Sequence, residues 1–299
     1  MRKNLTAVNL IVFMCLAVTA IFAQERAEIV VAFADKQTPV TLYKGSYAMV
    51  IGVSDYTAGW DDLPGVKSDT EAVKSALEKQ GFSVSVLSNP TERELDTKIH
   101  HFIKDHGYES ENRLLIYFAG HGHTDTLADG RELGFIVPAD APLPKKDALG
   151  FKQKAISMDM IQAYARQIQS KHALFVFDSC FSGKLVTRGN FPVPARILEE
   201  VKHSVRQFIT AGAANQTVPD ESIFRKVFVL GLEGKADRNG DGYILGSELA
   251  DYLKENVTNY SEGKQTPQYG KIRDLDLDRG DFVFVTRAEP VAPRQQPQD

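Results

Sequence analysis

Apolar residues in this chain fall into two kinds of block. Leu114–Ala119 and Ala173–Phe177 are unbroken apolar runs bounded by polar residues, the pattern of strands covered on both faces. Tyr47–Val53 is a third core strand. Between these runs the period changes. From Val66 to Gln80, residues Val66, Ala72, Val73, Ala76 and Leu77 recur at helical spacing and Gly81 supplies the stop. Phe82–Leu87 then alternates as a strand, and Thr91–Ile103 reads as a helix with Leu95, Ile99, Phe102 and Ile103 on one side. Strands alternating with one-sided helices predict an α/β fold with a mostly parallel central sheet and right-handed crossovers.

Further along, Gly134–Pro138 reads as a short strand or hairpin arm and residues 138–154 as a loop rich in Pro and Lys. Met158–Ile168 reads as a helix capped by Ser157. Gln207–Ala213 and Asp281–Thr286 are strands, and Ser222–Leu232 and Ser247–Val257 are helices. Lys184–Lys202 shows little pattern and is expected to be a long loop. One domain is therefore expected over residues 46–286, with an extended lead-in at 24–45 and a Pro- and Gln-rich disordered tail at 287–299.

The first residues alter the picture of where the protein works. Arg2 and Lys3 precede a mostly apolar run from Leu5 to Phe22, followed by Ala23-Gln24-Glu25, which fits a secretory signal peptide over residues 1–23. The alternative is an uncleaved membrane anchor, since the run approaches the roughly 20 residues that span a bilayer. The expectation is a secreted or periplasmic protein that touches a membrane only if the segment stays attached. The net charge of −4 becomes −6 once Arg2 and Lys3 are lost (33 basic against 39 acidic residues), so no basic field exists for nucleic acid. Cys15 lies in the leader. Cys180 is then the single thiol of the mature chain, and an internal disulfide is excluded.

Two of the buried strands run straight into chemistry. Leu114–Ala119 leads into Gly120-His121-Gly122-His123, and Ala173–Phe177 leads into Asp178-Ser179-Cys180-Phe181-Ser182-Gly183. If the strands are parallel neighbours, His121 and Cys180 emerge together at the carboxyl edge of the sheet, where open α/β folds bind ligands. A thiol attacks a carbonyl as thiolate, and an imidazole within reach lowers its pKa and later protonates the leaving amine. The backbone N–H groups of Gly122 and Cys180 are candidate oxyanion donors. This chemistry needs no cofactor.

The segments Tyr117-Phe118-Ala119-Gly120-His121-Gly122 and Asp178-Ser179-Cys180-Phe181-Ser182-Gly183 resemble the His and Cys motifs of the caspase-like superfamily, closest to metacaspases and bacterial caspase-family proteins. The resemblance spans most of residues 46–286. It implies a caspase-like sandwich and a cysteine endopeptidase acting on protein or peptide substrates, with His121 as general base and acid and Cys180 as nucleophile. It also implies that Asp69 and Asp178 line the pocket for the residue before the scissile bond. Strand alternation puts Asp178 and Cys180 on one face, and carboxylates beside the nucleophile favour Arg or Lys in the substrate. The other reading of Asp69 is a carboxylate favoured by the dipole of a helix N-terminus. Two positions depart from metacaspases, which usually have Ser where this chain has Ala119 and His where it has Phe181. A catalytically silent binding module of the same fold is the competing reading.

One motif lies outside this chemistry. Asp237-Arg238-Asn239-Gly240-Asp241-Gly242-Tyr243-Ile244-Leu245-Gly246-Ser247-Glu248 matches the twelve-residue EF-hand loop, with ligands expected from Asp237, Asn239, Asp241, Tyr243 and Glu248. Calcium binding at residues 237–248 and a purely structural cap and turn are both open, because the loop occurs once.

Overall fold

The alternation of buried runs and one-sided helices produces a six-stranded sheet covered on both faces. A computed structural model describes residues 29–31, 40–181, 197–212 and 222–286, with the side chain of Cys180 outside that description. The expected leader at 1–23, the segment 184–196 and the tail from 287 lie outside the described residues.

β1 (Ile29–Val31) and β2 (Val40–Tyr43) form an antiparallel pair before the sheet begins. The chain then enters β3 (Gly45–Gly52), crosses through α1 (Gly65–Lys79) to β4 (Ser83–Ser88), and returns through α2 (Glu92–His106) to β5 (Asn112–Ala119). Thr91 caps α2, its hydroxyl accepting from Glu94 N while the Glu94 carboxylate accepts from Thr91 N, a capping box. β6 (Gly122–Thr126), β7 (Glu132–Ile136) and the two-residue β8 (Ile156–Ser157) form a small antiparallel sheet, with α3 (Ala148–Lys154) inserted before β8. α4 (Met158–Gln167), capped by Ser157, leads to β9 (His172–Cys180).

After the short α5 (Ile197–Glu200) come β10 (Val205–Gly212) and α6 (Ile223–Leu230), which passes through a π turn at Gly231–Lys235. β11 (Tyr243–Leu245), α7 (Gly246–Tyr260), β12 (Gln268–Lys271) and β13 (Val283–Val285) complete the described chain. The main sheet has the order β12-β10-β9-β5-β3-β4, parallel except for β12. α1, α6 and α7 cover one face through Val73, Leu77, Phe224, Phe228, Leu249 and Leu253. α2 and α4 cover the other through Leu95, Ile99, Phe102, Ile161 and Tyr164.

Several elements depart from the expectation. The lead-in carries β1 and β2, and Leu42 and Tyr43 of β2 pack in one cluster with Leu245 and Val283. The loop expected at 138–154 contains α3, which has one buried residue, Phe151, set against Phe135 and Val137, too few for a visible helical period. β6 reads Gly-His-Thr-Asp-Thr and β12 Gln-Tyr-Gly-Lys, so neither has an apolar face to betray it; each is a strand because a neighbour offers backbone partners. Arg206, completely buried on β10, donates from Nε to Ala165 O at 2.8 Å, from Nη1 to Lys171 O at 2.9 Å, and from Nη2 to Ile168 O. It thereby satisfies carbonyls that the end of α4 leaves open.

Candidate active site

β5 and β9 are adjacent and parallel, with Ala119 in register with Asp178, so the chain segments leading to His121 and Cys180 leave the sheet side by side at its carboxyl edge. Ser179 Oγ donates to Gly120 O and ties the end of β9 to the turn that follows β5. Between Phe177 and Cys180 the pairing with β10 slips: Phe177 lies opposite Thr210 but Cys180 opposite Gly212, so β9 carries an extra residue there. Such a bulge re-aims the strand end, and the simple alternation that relates Asp178 to Cys180 does not carry across it.

His121 is held from several sides. Its backbone N–H donates to Tyr56 Oη at 2.7 Å, which requires Gly120 beside it, because a Cβ there would lie 2.8 Å from that hydroxyl oxygen. The imidazole packs against the Tyr56 and Trp60 rings, at centroid distances of 4.8 and 5.0 Å. Its Nε2 is 2.8 Å from Asp61 O. A carbonyl only accepts, so Nε2 carries the proton and Nδ1 keeps its lone pair in the neutral ring. Burial pushes the His121 pKa below the usual imidazole value, opposed by the Asp61 carbonyl and carboxylate, so at neutral pH the ring is an unprotonated base.

Val137 N donates to His121 O at 3.1 Å, which makes residues 121 and 137 a hydrogen-bonded pair of the hairpin. Gly122 and Ile136 are then a non-bonded pair, and the Gly122 N–H points away from β7. His123 lies on β6 rather than in a loop, with Nε2 3.0 Å from Asp125 Oδ1 and its ring against Phe151.

The two acidic residues occupy one cluster. Asp178, 4% exposed, accepts from Tyr117 Oη and Ser222 Oγ, each at 2.9 Å. Burial raises its pKa to about 6, opposed by those two hydrogen bonds. Asp69 lies on α1 and is buried, its Oδ1 2.7 Å from Arg225 Nε on α6. It stands beyond the first turn of α1, so this cation, rather than the helix dipole, is its partner. Tyr117, Ser222 and Arg225 were not legible as site residues. The available signals were a tyrosine inside an apolar strand and a basic residue where a helix start favours an acid. Phe181 is buried on Phe177, and Ala119 is part of the core.

The segment 237–248 is a loop that follows the α6 π turn, passes through β11 and enters α7. Asp237 accepts from Gly240 N at 2.8 Å and Gly242 N at 2.9 Å, Asn239 from Asp241 N at 2.8 Å, and Asp241 from Tyr243 N at 2.9 Å. Gly240 takes a φ of 71°, which only glycine adopts without strain. Tyr243–Leu245 pairs with β13 in antiparallel register. Glu248 is buried 3.4 Å from Asn239, and burial together with Asp241 and Asp237 raises its pKa. The all-oxygen donor set fits a hard cation, although among the described residues no three His, Cys, Asp or Glu groups are gathered as a metal cluster.

A parallel sheet whose carboxyl edge brings a His turn and a Cys strand end together defines an α/β protein of caspase-like architecture. The chain belongs to the caspase domain family, whose model matches residues 46–271. It is similar in structure to protein GSU0716 from Geobacter sulfurreducens, with a TM-score of 0.51 and 16% identity over 76% of this chain and 93% of that one; at such identity the likeness is one of fold. None of the curated proteins compared with the chain matches it.

Proposed function

We propose that the protein is an exported cysteine endopeptidase in which Cys180 is the nucleophile and His121 the general base and acid. The observation that supports this best is the His121 ring, whose Nε2 is tied to Asp61 O, so that the lone pair that can take a proton is on Nδ1, at the edge where β9 delivers Cys180. In the proposed cycle the Cys180 proton passes to His121 Nδ1 and the sulfur bonds to the scissile carbonyl carbon. The Gly122 and Cys180 N–H groups stabilise the oxyanion. The imidazolium then protonates the leaving amine as the C–N bond breaks, giving a thioester. Water, losing a proton to Nδ1, attacks that thioester and releases the acid and the thiol.

Asp69 and Asp178 support a preference for Arg or Lys before the scissile bond. The test is to offer reporter peptides ending in Arg, Lys or Asp to the chain beginning at Gln24, with Cys180→Ala as the blank. Turnover of the basic reporters is expected, while cleavage after Asp alone would overturn the pocket assignment. Residues 1–23 support export, and N-terminal sequencing of protein recovered outside the cytoplasm checks it. Among the described residues no helix is long and apolar enough to cross a membrane.

Calcium at residues 237–248 is a second, separate proposal, carried by the turned loop and the buried Glu248. Asp237, Asn239, Asp241, the Tyr243 carbonyl and Glu248 would hold the ion, which would supply structural rigidity to the α6–α7 corner. Millimolar calcium is expected to raise the melting temperature by several degrees in the parent chain and not in Glu248→Gln. An equal shift in both proteins would remove the loop from consideration.

A further inference from the structure

The first turn of α6 grips both acidic residues of the cluster at once. Ser222, its N-cap, donates from Oγ to Asp178 Oδ1 and accepts from Arg225 N, each at 2.9 Å. Arg225, three residues on, donates from Nε to Asp69 Oδ1 at 2.7 Å. The helix gains nothing from a cation here: a positive charge near a helix N-terminus opposes the macrodipole, and α6 has no acidic residue in its first turn. What accounts for Arg225 is Asp69, which is 3% exposed in its side chain and would otherwise be a buried carboxylate without that cation.

We infer that Arg225 is a specificity-determining residue: it occupies Asp69 as a substrate cation would, and a basic side chain enters the pocket fully only in competition with it. The inference rests on the peptidase reading and on Asp69 and Asp178 as its pocket. Among the described residues the cluster holds two carboxylates, Asp69 and Asp178, against one internal cation, Arg225, leaving at most one negative charge for a guest. An arriving guanidinium must shed its water for that single partner, so the preference for Arg or Lys is smaller than the two carboxylates by themselves would give. Neutral side chains lose nothing by comparison. Removing the internal cation takes away the charge that neutralises Asp69, and basic recognition strengthens.

The experiment has a binding arm and a kinetic arm. In the binding arm, ethylguanidinium is titrated into the parent chain, Arg225→Ala and the pair Asp69→Asn with Arg225→Ala, and melting is followed. Arg225→Ala is expected to gain several degrees, and the other two proteins to change little. In the kinetic arm, KM for Arg and Lys reporters, each taken relative to KM for a Leu reporter in the same protein, is expected to fall at least tenfold in Arg225→Ala. Arg225→Gln, which keeps a hydrogen-bond donor for Asp69, gives the same direction with a smaller change and serves if Arg225→Ala does not fold.

An unchanged or higher relative KM for basic reporters in both variants, or an equal guanidinium effect in all three proteins, overturns the role of Arg225 while leaving the peptidase standing. Absence of turnover in every protein, with a guanidinium shift confined to Arg225→Ala, overturns the peptidase reading and upholds the occupancy of Asp69. Absence of both overturns both.

Discussion

Peptide hydrolysis is expected to vanish in Cys180→Ala and to fall about 10⁴-fold in kcat/KM in His121→Ala, the upper end for a general acid and base that also activates the nucleophile. The reason is the single lone pair that the site presents. Asp61 O fixes Nε2 as the protonated nitrogen, so Nδ1 is the only position from which the ring can accept a proton. The same geometry sets the pH dependence. Burial against Tyr56 and Trp60 disfavours the imidazolium, and the acid limb of kcat/KM is expected below the ordinary histidine value of about 6.5. The base works neutral, so activity is present above its pKa in the folded protein and lost as pH falls through it. Trp60→Ala readmits water to one face of the ring and is expected to move that limb upward. A limb that stays in place or moves down would show that this packing does not set the proton affinity of His121.

The second large effect is on stability. Arg113 is completely buried on β5, its guanidinium 4.1 Å from the Phe82 ring centroid and 4.9 Å from that of Tyr43, with Phe282 and Phe284 each at 5.7 Å. It donates to Ser46 Oγ and Gln80 O at 2.9 Å each, and to Val283 O. Burial pulls its pKa down to about 9, which still leaves it a cation at neutral pH. Arg113→Ala opens a cavity, removes a desolvated cation–π contact and leaves two carbonyls without this donor. About 4 kcal/mol of destabilisation is expected, a large part of the 5–15 kcal/mol typical of a whole domain. Denaturant unfolding measures it. Arg113→Lys keeps the charge but not the fork of donors, and about half the loss is expected. Arg113→Met fills the volume without charge or donors. If it matched the parent in stability, the hydrogen bonds would be shown to contribute little beyond packing.

Arg113 also marks where reading the chain stops. The apolar run begins at Leu114, so a strand starting there is the natural inference, yet β5 starts at Asn112 and takes the arginine into the core. Nothing in the local pattern distinguishes an arginine at the edge of a strand from one enclosed by four aromatic rings contributed by residues 43, 82, 282 and 284. The same limit hid Arg225, whose partner Asp69 is 156 positions away. β6 escaped notice because a hairpin strand made of Gly, His, Thr and Asp has no apolar face. By contrast β9, α1, α2 and α4 agree with their sequence periods to within a few residues, because each buries a wide, continuous apolar surface that leaves little choice of conformation.

The order of residues alone determined the layered α/β architecture and the two segments that carry His121 and Cys180, the motifs in which the chain resembles the caspase-like family. Each follows from contiguous stretches of chain: apolar runs that must be buried, and glycines and polar groups immediately after them. The tertiary structure alone decided the proton-bearing nitrogen of His121, the rings packed against it, and the tether of Asp69 and Asp178 to Ser222 and Arg225. Those depend on which distant segments meet at one sheet edge, and hydrogen bonds and charge pairs formed across such distances leave no period in the sequence from which to read them.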